Sequence, residues 1–357
     1  MTESPPPFSA AGGGRWNSLD GLRTVGVLLV FGIHSGYPAL FGGRFGVDVF
    51  FPLSGFLITT LIVNEVQRSG RFQLRRFYWR RILRLYPALL VVVLSTFFIR
   101  SAIVYNGDLR SWESTAFYAL TYTMNLAVSF TSRDVTIALT PTWTLALEEQ
   151  FYLLWPLLLL LLMRGLSLRR CGYVALVLAL ASWTSLGLDR SLQASFRPDT
   201  RAGALMIGCG AALLVYGKVV SRQAARKVLP AATVVLAAGV FVGGTSWRHA
   251  DVGGVVLVSS ASAVLIVALL GAPGALLDRL LAARPLVWLG RRSYGFYLVH
   301  LPILAELRRH THSRAAASLL GFSLAVAVSD LLFRFVERPV LRYRDRTTGS
   351  VASVPAG

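Results

Sequence analysis

A small set of ionisable side chains stands out because the residues around them are so apolar. His34, Asp48, Glu148, Glu149, Asp199, Arg201 and His300 fall at or inside long hydrophobic stretches. There an ionisable group costs at least a few kcal/mol and usually faces a cavity or a partner. An imidazole titrates near neutrality and can take a proton from a hydroxyl. A carboxylate beside it can orient the ring or balance the charge the ring acquires. Arg81 and Arg84, one helical turn apart in RFQLRRFYWRRILRLYP (71–87), offer forked donors of the kind that grip phosphate. The same residue types also serve proton or substrate sites in a secondary transporter or flippase.

Spacing adds detail. Arg23 and His34 are eleven residues apart, about three turns, so one helix would carry both on a common face, roughly 16 Å apart along its axis. Taken alone, an intramembrane histidine is as readily structural as catalytic. Tyr294, Tyr297 and His300 recur three residues apart in RRSYGFYLVHLP, and Glu148, Tyr152 and Trp155 share a face in TWTLALEEQFYLLWP. Aromatic packing explains Trp155, whereas the charge on Glu148 demands a partner. Arg71, Arg75, Arg76, Arg80, Arg81 and Arg84 interleave with aromatic and aliphatic residues. That run reads as a basic amphipathic interfacial segment whose simplest task is to anchor on anionic lipid. Ser54, in LSGFL, is a nucleophile by type, but helix packing beside Gly55 accounts for it more simply.

The elements that must position these groups follow from composition. Of 357 residues, 54% are hydrophobic and only 15% charged, with a mean hydropathy of +0.58; a soluble domain carries about 25% charged residues. Ten stretches approach the roughly 20 residues that span a bilayer: 22–40, 46–66, 87–105, 143–163, 172–188, 203–217, 228–246, 253–271, 286–306 and 315–337. An eleventh, 113–130, is interrupted by Thr121, Thr123 and Asn125. If 113–130 does not cross, 25 of the 36 Lys and Arg fall on the side of the N-terminus, as the positive-inside rule favours. The expected fold is therefore an all-α, polytopic transmembrane bundle of about ten spans with both termini cytoplasmic, and 113–130 re-entrant or interfacial. On that topology the seven ionisable groups approach one outer half, which points to a shared cavity.

Other classes fall away. The net charge of +19 sits in short loops between apolar segments, so it argues for membrane anchoring rather than nucleic-acid binding. Cys171 and Cys209 have no metal-ligand spacing, and no metal is expected. No cleavable signal peptide is evident. Residues 1–17 and 346–357 read as disordered tails flanking a membrane domain at 18–345. Nothing in the sequence sets an oligomeric state.

In chain order, LDGLRTVGVLLVFGIH (19–34), GVDVFFPLSGFLITTLI (46–62), RRILRLYP (80–87), TWTLALEEQFYLLWP (142–156), DTRAGALMIG (199–208), RRSYGFYLVHLP (291–302) and RFVERP (334–339) resemble the acyltransferase-3 family. These are membrane-bound O-acyltransfer enzymes related to bacterial O-antigen and macrolide acyltransferases. The resemblance covers about 18–343 and implies transfer of an acyl group, often acetyl, from acyl-CoA to a hydroxyl of a carbohydrate or glycosylated acceptor in the cell envelope. It implies that Arg23 and His34 are the essential pair, that Arg81 and Arg84, with help from Arg23, hold acyl-CoA, and that Glu148 is the carboxylate that assists His34. Asp48, Ser54, Tyr152, Asp199, Arg201, Tyr297 and His300 are the expected acceptor-binding residues. Transfer is expected to be direct, with His34 as general base; an acyl group carried first on His34 or Ser54 is the alternative. The chain departs from the family at Pro52, where a local kink is expected, at Gly203, where many relatives carry Asp, and around His300, whose setting is less aromatic. The tail after the last span lacks the esterase-like domain of some relatives, so transfer is expected to finish within the membrane domain.

Overall fold

The chain is described by a computed structural model covering residues 16–103, 109–131, 135, 137–189, 191–243 and 252–347. The two expected tails lie almost wholly outside those residues. No strand occurs among them. In order, the α-helices are α1 Asn17–Ser35, α2 Gly46–Ser69, α3 Leu74–Ile103, α4 Leu109–Leu120, α5 Met124–Phe130, α6 Thr142–Gly165, α7 Leu168–Leu188 and α8 Pro198–Tyr216. They continue as α9 Arg222–Gly243, α10 Val252–Gly271, α11 Leu276–Leu281, α12 Arg284–Gly290, α13 Ser293–His310, α14 Arg314–Leu332 and α15 Arg338–Thr347. Among the described residues seven helices are long and apolar enough to cross a membrane: α2, α3, α6, α7, α9, α10 and the α14 run. This is the architecture of a multi-pass membrane chain.

Three boundaries differ from the sequence reading, and a fourth segment breaks where its polar residues fall. α1 stops at Ser35 because Gly36 takes a left-handed φ of 76°, a common way for a helix to end, and Pro38 follows. The arginine-rich run is no separate interfacial piece; it forms the first turns of one 30-residue helix, α3. The expected span 286–306 is two helices, α12 and α13, parted at Arg291–Arg292. Segment 113–130 splits into α4 and α5 around Tyr122, whose φ is 53°, and neither piece reaches the length of a crossing helix. α2, by contrast, runs on through Pro52.

Two compact units share the chain. The first comprises Met1–Ile33, Tyr37–Phe72 and Phe151–Gly290. Within it α2 packs on α8 and α10, α7 on α8, and α9 on α10. Small residues set the approach, as expected where helices associate in an apolar solvent. A Cβ at Gly55 would run into the Leu205 carbonyl, and one at Gly208 into that of Pro52. Phe45, Val49, Leu53 and Phe56 fill the space between, with Val258 and Ile266. The start of α1 is held in the same way: Gly21 lies against the Leu281 carbonyl, Gly290 against that of Asp20, and Thr24 Oγ1 donates to Leu286 O.

The second unit comprises His34–Gly36, Gln73–Gln150 and Arg291–Gly357. Here α13 packs on α14 and α3, and the short turn Ile137–Leu139 packs on α13. A π-helical turn, Phe333–Glu337, joins α14 to α15. Asn125 and Gln150 exchange hydrogen bonds, and Gln150 also donates to the Tyr122 carbonyl, which ties the α4–α5 pair to α6.

The glycine contacts are testable. Gly208→Val should destabilise the solubilised protein by more than the 1–3 kcal/mol usual for overpacking, because the obstacle is backbone rather than a flexible side chain. Gly187→Ala, with nothing within 4 Å of the new methyl, should leave the thermal midpoint unchanged or slightly raised. A Gly208→Val protein as stable as the parent would refute the close α2–α8 approach.

Candidate active site

The end of α1 and one face of α13 come together in the second unit. His300, fully buried on α13, places its Nε2 3.0 Å from Nδ1 of His34. The ring centroids are 5.0 Å apart at an angle of 42°. The other nitrogen of His300, Nδ1, lies 2.6 Å from the carbonyl oxygen of Tyr297.

The hydrogens in this chain of contacts follow from donor rules. A carbonyl oxygen only accepts, so the hydrogen between His300 and Tyr297 is on His300 Nδ1. A neutral imidazole carries one hydrogen, which leaves His300 Nε2 as an acceptor. The hydrogen between the rings is therefore on His34 Nδ1. In the neutral pair His34 Nε2 then carries no hydrogen, the protonation state a general base needs.

The sequence stripe on α13 reaches three different neighbours. Tyr294 donates to Leu85 O at 2.7 Å. Tyr297 donates to Pro141 O at 2.9 Å and accepts from Thr144 Oγ1 at 2.8 Å. His300 meets His34. Glu148, one turn beyond Thr144 on α6, acts electrostatically on Tyr297. The end of α1 is secured by Arg308, which donates to the His34 carbonyl, and by Arg314, which donates to that of Gly36 at 2.9 Å.

A second polar group in this unit surrounds the arginine pair. Arg81 turns both Nε and Nη2 onto Glu149 Oε1, each at 2.9 Å. Glu337 lies in the field of Arg84 and Arg292, and Arg292 Nε donates to Asp330 at 2.7 Å. Glu149, ranked below Glu148 on sequence grounds, is thus the carboxylate that meets Arg81. A phosphate at Arg81 would have to share or replace it.

The remaining expected residues lie in the first unit. Arg23 Nη1 donates to Asp20 at 2.8 Å, a partner three residues away that the DGLR spacing offered and the sequence reading missed. Asp48, fully buried, accepts from Arg201 Nη2 at 3.0 Å and from Ser259 at 3.4 Å. Asp199 pairs with a different residue, Arg197, whose guanidinium forks onto both its oxygens and also reaches Asp189. Hydrogen bonds from Ser191, with Arg197 nearby, hold the Asp189 carboxyl below the usual carboxylate range. Ser54 is half-buried on α2, next to Gly55 in the chain. Tyr152 is buried next to Phe151, and Trp155 stacks on Phe151 while donating to Thr59 at 2.9 Å, the packing role its sequence suggested. A Cβ at Gly203 would sit 2.6 Å from Trp183 Nε1, so Trp183 fills the place a side chain would take.

Comparison with known proteins adds an independent line. A family model described as an acyltransferase domain matches residues 16–334. The chain is 31% identical over 347 residues to the peptidoglycan O-acetyltransferase OatA of Listeria monocytogenes, covering 90% of this chain and 55% of that protein. It is 28% identical over 345 residues to the O-acetyltransferase OatA of Staphylococcus aureus, covering 90% and 56%. The putative peptidoglycan O-acetyltransferase YrhL of Bacillus subtilis is 31% identical over 347 residues, covering 90% and 54%. The chain thus spans about half the length of the curated relatives it matches. No solved structure matches it.

The Arg81–Glu149 pair can be weighed directly. Arg81→Ala and Glu149→Ala should each lower the unfolding free energy in detergent. The double variant should lose less than the sum, with a coupling of about 1 kcal/mol for partly exposed partners. Strictly additive losses would show that the pair contributes nothing.

Proposed function

Because this chain belongs to the acyltransferase-3 family, we propose that it is an integral O-acyltransferase of the cell membrane. It moves an acetyl group from acetyl-CoA to a hydroxyl of a cell-envelope carbohydrate. The relatives that carry the names of peptidoglycan O-acetyltransferases support both the group transferred and the class of acceptor. We read the membrane topology as ten crossings, the seven apolar helices plus α1, α8 and α13, with both termini cytoplasmic and α4–α5 not crossing. The basic residues of the even-numbered connections support that orientation.

The observation that carries the mechanism is the hydrogen bond between His34 Nδ1 and His300 Nε2. With His300 accepting, His34 Nε2 carries no hydrogen and takes the proton of the acceptor hydroxyl as its oxygen attacks the thioester carbonyl. The new carbon–oxygen bond forms, the tetrahedral intermediate collapses, and the carbon–sulfur bond breaks. The thiolate of CoA leaves with the proton that His34 held. His300 keeps His34 in one tautomer and one orientation, the task a carboxylate performs in a Ser-His-Asp triad. Glu148, through Tyr297 and Thr144, is a supporting group for the same wall. Arg81 and Arg84 meet the phosphates of the donor on the cytoplasmic side, with Glu149 and Glu337 as the carboxylates that hold them in its absence.

Proteoliposomes with labelled acetyl-CoA and an envelope glycan test this reading. His34→Ala should cut transfer by 10²- to 10⁴-fold, about the range of a general base, while acetyl-CoA binding persists. His300→Leu should lower kcat strongly. His300→Gln, whose side-chain oxygen can still accept from His34, should recover part of it. Wild-type transfer by His34→Ala would end the assignment, and glycan movement without acetyl-CoA consumption would point to transport.

A further inference from the structure

Among the described residues, two arginines beside His34 have no acidic partner. Arg308, near the end of α13, and Arg314, at the start of α14, are both exposed. Each donates to one carbonyl at the end of α1, and they approach a common point: a Cβ on Gly36 would lie 3.5 Å from Arg308 Nη2 and 3.8 Å from Arg314 Cδ. The two cations act on each other electrostatically. The local carboxylate, Glu306, is taken by Arg309 and His310. Among the described residues neither Arg308 nor Arg314 pairs with an acid.

Closing the end of a helix accounts for one N–H from each residue. It does not account for two full positive charges held together. Each guanidinium carries five N–H donors, so most remain for another ligand. The location is unusual as well. On the topology proposed above, the α13–α14 connection faces outward, where positive-inside bias disfavours arginine. By contrast Arg197 and Arg201, also placed outside by that topology, are both paired with aspartates.

We propose that Arg308 and Arg314 form an oxyanion subsite that holds a negatively charged group of the acceptor glycan beside His34. The chemistry suits a carboxylate or a phosphate ester, since two adjacent guanidiniums grip either by forked, charge-assisted hydrogen bonds. Anchoring the acceptor there presents a neighbouring hydroxyl to His34 Nε2. The subsite rests on the transferase reading for its purpose, but its binding does not.

The test uses the full-length protein and three probes: a neutral chitooligosaccharide, the same backbone bearing lactyl carboxylates, and N-acetylglucosamine 1-phosphate. Binding is measured without acetyl-CoA, and transfer with it. The parent should bind at least one charged probe about tenfold or more tighter than the neutral one, and the preferred probe identifies the anion. In Arg308→Gln/Arg314→Gln, which keeps amide donors for the α1 carbonyls but removes both charges, that ratio should fall to near one. An unchanged ratio in the double variant, or a parent that binds all three alike, would overturn the subsite. Charge-dependent binding without any transfer would leave the subsite standing and remove the transferase reading. Transfer without charge preference would do the reverse.

Discussion

A charge buried among apolar helices has to be answered within reach, and that requirement decides where most polar groups of this chain go. Asp48 is matched by Arg201 and Ser259, Arg23 by Asp20, Arg81 by Glu149, and Asp330 by Arg292 and Arg334. Breaking the fully buried Asp48–Arg201 pair from one side costs about 3–5 kcal/mol because it strands the other charge. Such pairs therefore hold helices in register more than they add stability. The glycines at α2 and α8 make this possible, since only a close backbone approach lets Arg201 of one helix reach Asp48 of the other.

The two histidines satisfy the same requirement without charge. One ring donates and the other accepts, and the direction of the bond is set by the Tyr297 carbonyl, which can only accept. No ion needs to be buried in the resting state. The same arrangement leaves one nitrogen of His34 without a hydrogen, so on the proposed reading a solution to burial is also a preparation for taking a proton. The surrounding bonds serve this geometry: Phe296 lies parallel to His300, and Arg308 and Arg314 fix the end of the helix that carries His34.

Much of this was legible in the sequence, and what was not has a common cause. Hydropathy located the apolar helices, and the three-residue recurrence of Tyr294, Tyr297 and His300 marked one working face of α13. Periodicity could not say what that face touches. His34 and His300 are 266 residues apart, Asp48 and Arg201 153, and Arg81 and Glu149 68; pairings at such separations are settled by packing. Glu148 and Glu149 show the limit well, because nothing in two adjacent carboxylates foretold that Glu149 would pair with Arg81. The Arg197 clamp on Asp199 was within reach of a local reading, being two residues away. It was missed because Asp199 was assigned to the distant polar set.

The nature of the partner also bears on the route of acyl transfer. A carboxylate behind a catalytic imidazole stabilises the imidazolium strongly, and more so where water is scarce. A neutral imidazole offers a lone pair and no charge, so it orients His34 while stabilising its cation less. On the proposed reading, a proton taken by His34 is then held loosely and passes readily to the departing thiolate. An acyl group parked on His34 Nε2 would instead make the ring cationic for the lifetime of an intermediate, with His300 as its hydrogen-bonded neighbour. The histidine pair therefore suits one direct transfer better than two successive ones through an acyl-enzyme.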